Sequence, residues 1–321
     1  MDKPRTEIGG YLELERFRGS LLHDRALALS SGRACLSYLI EQRNIRRILL
    51  PDLLCDVVEQ VCSAHQVAVR RYRIGLDLRP EPDLQPGSGE WLYLVNLYGQ
   101  LTEEELTAAA KRFPHLIVDN AHAYFTPALP GIDTLYTCRK FLGVSDGGFL
   151  YTDAPARELE QDESHGRMDF VLGRFERPAG EFFAEAQRNN EVLEITPKKM
   201  SPLTDNLLRA VDYAAVRRIR TENFNRLHEA LGKWNLLSLR PTEGAYAYPL
   251  WLPDGEKIRR RLIARKIYVP ALWPNVLTDT SAGSTARSLA RQILPLPCDQ
   301  RYGPEEMDAI IAAVRQESKR R

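Results

Sequence analysis

Between residues 30 and 153, short apolar runs alternate with stretches whose apolar positions recur every three or four residues. The runs at 48–50, 67–74, 91–98, 116–119, 135–137 and 149–152 predict strands, and the stretches at 33–42, 56–65 and 102–113 predict helices between several of them. The last of these opens Thr102-Glu103-Glu104-Glu105, a capping-box pattern. Strands that alternate with helices form βαβ units, so the pattern predicts an α/β fold with a mostly parallel sheet. Working residues in such a sheet collect at the carboxyl ends of its strands.

Residues 154–200 are mixed and polar, carry Gly166, Gly173 and Gly180, and predict no strand. A single long helix is expected over 204–231, with Leu207, Leu208, Val211, Val216, Ile219, Phe224 and Leu227 as its buried stripe. After it come a strand at 246–252, a helix at 256–266, a short strand at 293–295 and a last amphipathic helix at 304–316. This divides the chain into a large domain, residues 1–203, and a connecting helix with a smaller α/β domain, residues 204–321.

Charge narrows the partners. The 44 basic and 43 acidic residues leave a formal charge of +1, which argues against nucleic acid or an anionic membrane as main partner. Arg70-Arg71, Arg259-Arg260-Arg261 and Lys319-Arg320-Arg321 read as solvated faces. The 5 cysteines form no CxxC pair, which points to reduced thiols in a cytoplasmic protein and away from a disulfide frame or a metal site. Met1-Asp2-Lys3-Pro4-Arg5 lacks the apolar run of a signal peptide, and no stretch reaches the roughly 20 apolar residues of a membrane span.

Three features carry chemistry. Ser30-Ser31-Gly32-Arg33-Ala34 places small residues just before a helix, where free backbone N–H groups suit a phosphate or simply a serine cap. The strand Leu116-Ile117-Val118 ends on Asp119, with His122 shortly after. A carboxylate there can pair with a protonated ring nitrogen, magnesium or a sugar hydroxyl, or cap the segment that follows. Third, Lys140 follows a strand ending near Thr137 and precedes Asp146-Gly147-Gly148 and another apolar strand. Burial between such runs makes a lysine amine nucleophilic.

In this order the motifs resemble the DegT/StrS sugar aminotransferases, which use pyridoxal phosphate on a fold-type I scaffold. The likeness runs from Ile8-Gly9-Gly10-Tyr11 through Ser31-Gly32-Arg33-Ala34, Val118-Asp119-Asn120-Ala121-His122 and Lys140 with Asp146-Gly147-Gly148 to the closing Leu294-Pro295-Leu296 strand. The resemblance implies pyridoxal phosphate linked covalently to Lys140 and protonated at its ring nitrogen by Asp119. Its phosphate would lie on Ser31, Gly32 and Arg33, and its phenolic oxygen near His122. It also implies a homodimer and transfer of an amino group from an amino acid such as glutamate to a keto group of a nucleotide-linked sugar.

The sequence also departs from that pattern. Thr137 is the nearest hydroxyl before Lys140, where relatives carry a serine against the phosphate. Arg33 replaces the usual threonine, and Pro51-Asp52-Leu53-Leu54-Cys55 lacks the aromatic ring that relatives place over the cofactor. Other pyridoxal phosphate chemistry on a sugar or small ketone, or an inactive fold-type I binding protein, are the alternatives. Some sugar-dehydrating relatives replace the lysine with histidine, so Lys140 favours amino transfer.

Overall fold

The apolar runs of the first half close into one seven-stranded sheet in a computed structural model that describes residues 8–319. Met1-Asp2-Lys3-Pro4-Arg5, and Arg320-Arg321 of the basic tail, lie outside the described residues. The chain runs β1 (Leu27–Leu29), α1 (Gly32–Gln42), β2 (Arg47–Pro51), α2 (Asp56–Ala64), β3 (Ala68–Tyr72) and β4 (Trp91–Val95). It continues through α3 (Glu103–Arg112), β5 (Leu116–Asp119), β6 (Asp133–Thr137) and β7 (Gly148–Tyr151). Sheet order is β1-β7-β6-β5-β4-β2-β3. β3, β2, β4, β5 and β6 pair in parallel, whereas β7 runs antiparallel to both β6 and β1. Every residue of β5 and β6 is buried, as a parallel sheet covered by helices on both faces requires.

The second half is more helical: α4 (Asp169–Glu176), α5 (Phe183–Val192), α6 (Pro202–Leu208), α7 (Tyr213–Leu231), β8 (Tyr248–Trp251) and α8 (Gly255–Ala264), then α9 (Pro274–Thr278), α10 (Ser284–Gln292), β9 (Ile293–Leu296) and α11 (Pro304–Lys319). β8 and β9 pair antiparallel in a separate sheet. Phe224, Leu227, Leu250, Leu262 and Met307 form a second core there, while Trp273, Val276 and Leu289 join the core of the large sheet.

Three expectations change. The helix expected over 204–231 is two helices, α6 and α7, because Asp212 Oδ1 accepts from Ala215 N–H at 2.9 Å and restarts the chain as an N-cap. Of its expected stripe, Leu208, Phe224 and Leu227 are buried, whereas Val211, Val216 and Ile219 are half-buried beside a groove of about 410 Å³. The strand expected to reach residue 98 stops at Val95: Asn96 Oδ1 turns to Leu101 N–H at 2.9 Å, and Tyr98 takes a left-handed φ of 54°. Residues 154–200 hold no strand among the described residues, as expected, but do form α4 and α5. Among the described residues no helix is long and apolar enough to cross a membrane.

Candidate active site

Adjacent strand ends bring the expected residues to one edge. β5 ends on Asp119 and lies in parallel register with β6, Asp119 opposite Leu135. Asp119 is buried; its Oδ2 accepts from the Tyr93 hydroxyl at 2.8 Å and its Oδ1 from Ala121 N–H at 2.7 Å. The second bond caps the turn after the strand, so Asp119 also has a structural part there. Both partners are neutral, and burial raises the carboxyl pKa while the charge on Lys140 opposes that rise. A buried carboxylate held by neutral donors alone is short of one cation.

Lys140 lies on the turn after β6, exposed, with Nζ 5.8 Å from the centre of the Tyr246 ring. That turn is pinned from below. The carbonyl of Phe141 accepts from Arg220 Nη2 at 3.0 Å and Gln300 Nε2 at 2.8 Å, and buried Arg220 also donates to the Ala245 carbonyl at 2.9 Å. One guanidinium therefore sets both the lysine turn and the backbone leading into Tyr246. Thr137 is buried at the end of β6 opposite Gly148, and its hydroxyl has no hydrogen bond among the described residues.

Ser31 caps α1 as expected, its Oγ accepting from Ala34 N–H at 3.1 Å, which leaves the first-turn amides of Gly32 and Arg33 for an outside acceptor. A Cβ built on Gly32 would meet nothing within 4 Å. The turn interlocks with the strand after the lysine: Gly147, at φ +113°, donates to the Ser30 carbonyl at 2.6 Å, and a Cβ on Gly148 would sit 2.7 Å from the Ser31 carbonyl carbon. Gly148→Ala must therefore push backbone aside. We expect it to cost about 1–3 kcal/mol and to weaken phosphate binding; an unchanged melting temperature and cofactor content would refute this reading. Asp146, within the same loop, is fully buried and accepts from Ser201 N–H and Oγ, both at 2.8 Å, a structural cap for α6.

Two arginines flank the turn. Arg33 Nη1 donates to the carbonyls of Asn190 at 2.7 Å and Leu193 at 2.8 Å, so this group tethers the end of α5 to the turn. Arg139, which no sequence pattern singled out, donates to Asn190 Oδ1 and has a buried Nε without a partner. Burial, and then the like charge of Arg33, push its pKa down to about 10. The charge of Asp146 opposes that fall only in part.

His122 is buried, stacked on Tyr246 at 4.4 Å and 13°, and on Trp273 at 5.6 Å and 22°. Burial, then the charge on Lys140, hold its pKa well below the ordinary value, so the ring is neutral. Its Nδ1 is buried and unpartnered. Cys55, N-cap of α2, closes the ring-free segment from Pro51; burial raises its thiol pKa against the pull of Lys140. The aromatic rings of the site instead come from Tyr93, Tyr246 and Trp273. None of these, nor Arg139, was legible in sequence, because each reaches the site through a tertiary contact.

Comparison with solved structures gives full-length similarity. DesV from S. venezuelae is 18% identical, with a TM-score of 0.66 over 92% of this chain and 85% of its own. An aminotransferase of the DegT DnrJ EryC1 StrS group from Brucella abortus is 14% identical, with a TM-score of 0.62 over 91% and 85%. Spr1654 from Streptococcus pneumoniae, assigned as a sugar aminotransferase and solved in its PLP form, is 14% identical, with a TM-score of 0.67 over 93% and 88%. The chain has the fold of these aminotransferases. No family model matches it, and no curated protein matches it in sequence. The residues at the strand ends fit pyridoxal phosphate: a buried carboxylate hydrogen-bonded by neutral donors alone, an orphaned imidazole nitrogen, open helix amides, and a buried arginine Nε without a partner.

Proposed function

We propose that the protein is a pyridoxal phosphate-dependent aminotransferase acting on a keto group of a nucleotide-linked sugar, with glutamate as the favoured amino donor. The observation that carries this is buried Asp119, held by neutral donors alone, beside Lys140 at the carboxyl edge of adjacent parallel strands. When bound, the cofactor supplies an electron sink for the substrate carbanion.

The protein's residues divide the remaining work. Asp119 holds a proton at the ring nitrogen, since its negative charge gains a cationic partner there. Lys140 would hold the cofactor covalently, and its amine, when free, would serve as the base that carries the substrate proton. Ser31, Gly32 and Arg33 would bind the phosphate through the start of α1, with Arg139 adding charge and Thr137 a hydroxyl donor. Neutral His122, with its unpartnered Nδ1, would pair with the cofactor's phenolic oxygen. Tyr246 and Trp273 hold that imidazole in plane and keep water from it. We further propose a cytoplasmic homodimer, with residues 1–203 as the cofactor domain and 204–321 as the smaller one.

The decisive experiment is borohydride reduction of the protein after incubation with pyridoxal phosphate, followed by peptide mass mapping. A pyridoxyl group on Lys140 supports the assignment, and bleaching of the yellow protein by glutamate supports amino transfer. An adduct on Lys198 or Lys199 would sink it.

A further inference from the structure

The region from 154 to 200, which matched no motif, builds one wall of the largest cavity described. This cleft, of about 990 Å³, lies between α4–α5 and the small domain, and its volume is at the upper end of small-molecule sites. Three segments of its lining lead to residues of the strand-end site. Arg301 and Tyr302 in its lining follow Gln300, which holds the lysine turn through the Phe141 carbonyl. Val269, Pro270 and Ala271 lead into Trp273, which faces His122. Phe183 and Gln187 lie on α5, the helix whose Asn190 holds Arg33 and Arg139. Phe183 in the lining and Asn190, which holds Arg33 and Arg139, are about 10 Å apart along α5.

Its lining is strongly one-signed: Arg174, Arg259, Lys266 and Arg301 against Glu306. Arg301 is neutralised by Asp299 at 2.7 Å, and Glu306 is engaged by Gly303 N–H at 2.8 Å. Arg259 reaches only the carbonyls of Arg291 and Ile293, and its Nε is buried without a partner. Arg174 and Lys266 are exposed and have no carboxylate partner among the described residues. Two aromatic rings stand exposed in the lining, Phe183 from α5 at 65% and Tyr268 from beyond α8 at 56%. Uncompensated cations beside flat apolar rings suit a ligand with several negative charges and a planar ring.

We propose that this cleft binds the nucleoside diphosphate part of the substrate, with Arg174, Arg259 and Lys266 on the diphosphate and Phe183 and Tyr268 against the base. This places specificity in a segment that carries none of the cofactor residues. It rests on the aminotransferase reading for the identity of the whole substrate, but not for binding itself.

The test is calorimetric titration of the full chain with uridine diphosphate and thymidine diphosphate, without amino donor. We expect saturable binding that weakens with salt, falls at least tenfold in Arg174→Glu and in Lys266→Glu, and falls in Phe183→Ala for the diphosphates but not for inorganic pyrophosphate. These positions are exposed, and unchanged melting temperatures would establish that the variants fold. Absence of saturable binding up to millimolar ligand, or binding indifferent to both charge reversals, overturns the proposal. Cofactor absorbance of the same sample separates the failures. A protein that takes up pyridoxal phosphate but no nucleoside diphosphate refutes the cleft, whereas one that binds only the nucleotide refutes the aminotransferase reading.

Discussion

Asp119→Asn lowers turnover by on the order of 10²–10³-fold, the usual loss when a preorganised charge is removed from a reacting centre, and yet it stabilises the cofactor-free protein. Both results come from one contact set. Tyr93 and Ala121 supply neutral donors to a buried carboxylate, and burial raises its pKa above the ordinary carboxylate range. An acid whose folded pKa is raised contributes stability that is fully present below its unfolded pKa and is lost as pH rises through the folded value. At neutral pH burial of this carboxyl therefore costs stability that the charge on Lys140 offsets only in part, and asparagine would remove that cost. The gain appears as an upward Tm shift of about 2 °C for each kcal/mol recovered in a protein of this size, and it vanishes in acid. With cofactor bound the sign reverses, since the wild-type carboxylate then has its cation. Melting curves of stripped and loaded protein at neutral and acid pH check this. A stripped variant that melts lower than wild type at neutral pH, or turnover within threefold of wild type, would remove Asp119 from the proposed role.

The same residue shows what the chain reveals before it is folded. β5 was readable to its last residue because four consecutive buried positions end on a carboxylate, and α3 because Thr102 and Glu105 reciprocate as a capping box. β1 was not readable: three residues, Leu27–Leu29, are too few for any period to emerge. The break between α6 and α7 was hidden because apolar residues continue at helical spacing across it, although Asp212 carries the N-cap chemistry that makes it. Within the site, Ser31, Asp119 and Lys140 were visible because each stands at the junction of a strand or turn with a helix or glycine pair. Arg139 carries no local signal, because its surroundings come from Arg33 and Asn190, distant in sequence. Tyr246 and Trp273 matter only because the second half of the chain folds them onto His122. Local pattern reaches strand ends; it does not reach what folds over them.

Lys140→Ala carries the largest effect. Loss of a positioned proton-transfer group alone removes about 10²–10⁴-fold of rate, and loss of the covalent tether adds to it. Phosphate turn, Asp119 and His122 are untouched, so the variant should still bind pyridoxal phosphate non-covalently, with an altered absorbance and no adduct after borohydride. The exposure of Lys140 makes a sharper test possible. The space left by the side chain opens to solvent, so a small primary amine such as methylamine should enter and restore part of the turnover. Rescue should rise with pH as the amine loses its proton, because the free base does the work. Lys140→Arg keeps the charge beside Tyr246 but remains protonated at all working pH values, so it should stay inactive and resist rescue. That contrast separates proton transfer from simple electrostatics, since a residue needed only for its charge would tolerate arginine. Full activity in Lys140→Ala would exclude the mechanism; cofactor binding without amine rescue would assign the lysine to tethering and leave proton transfer to another group.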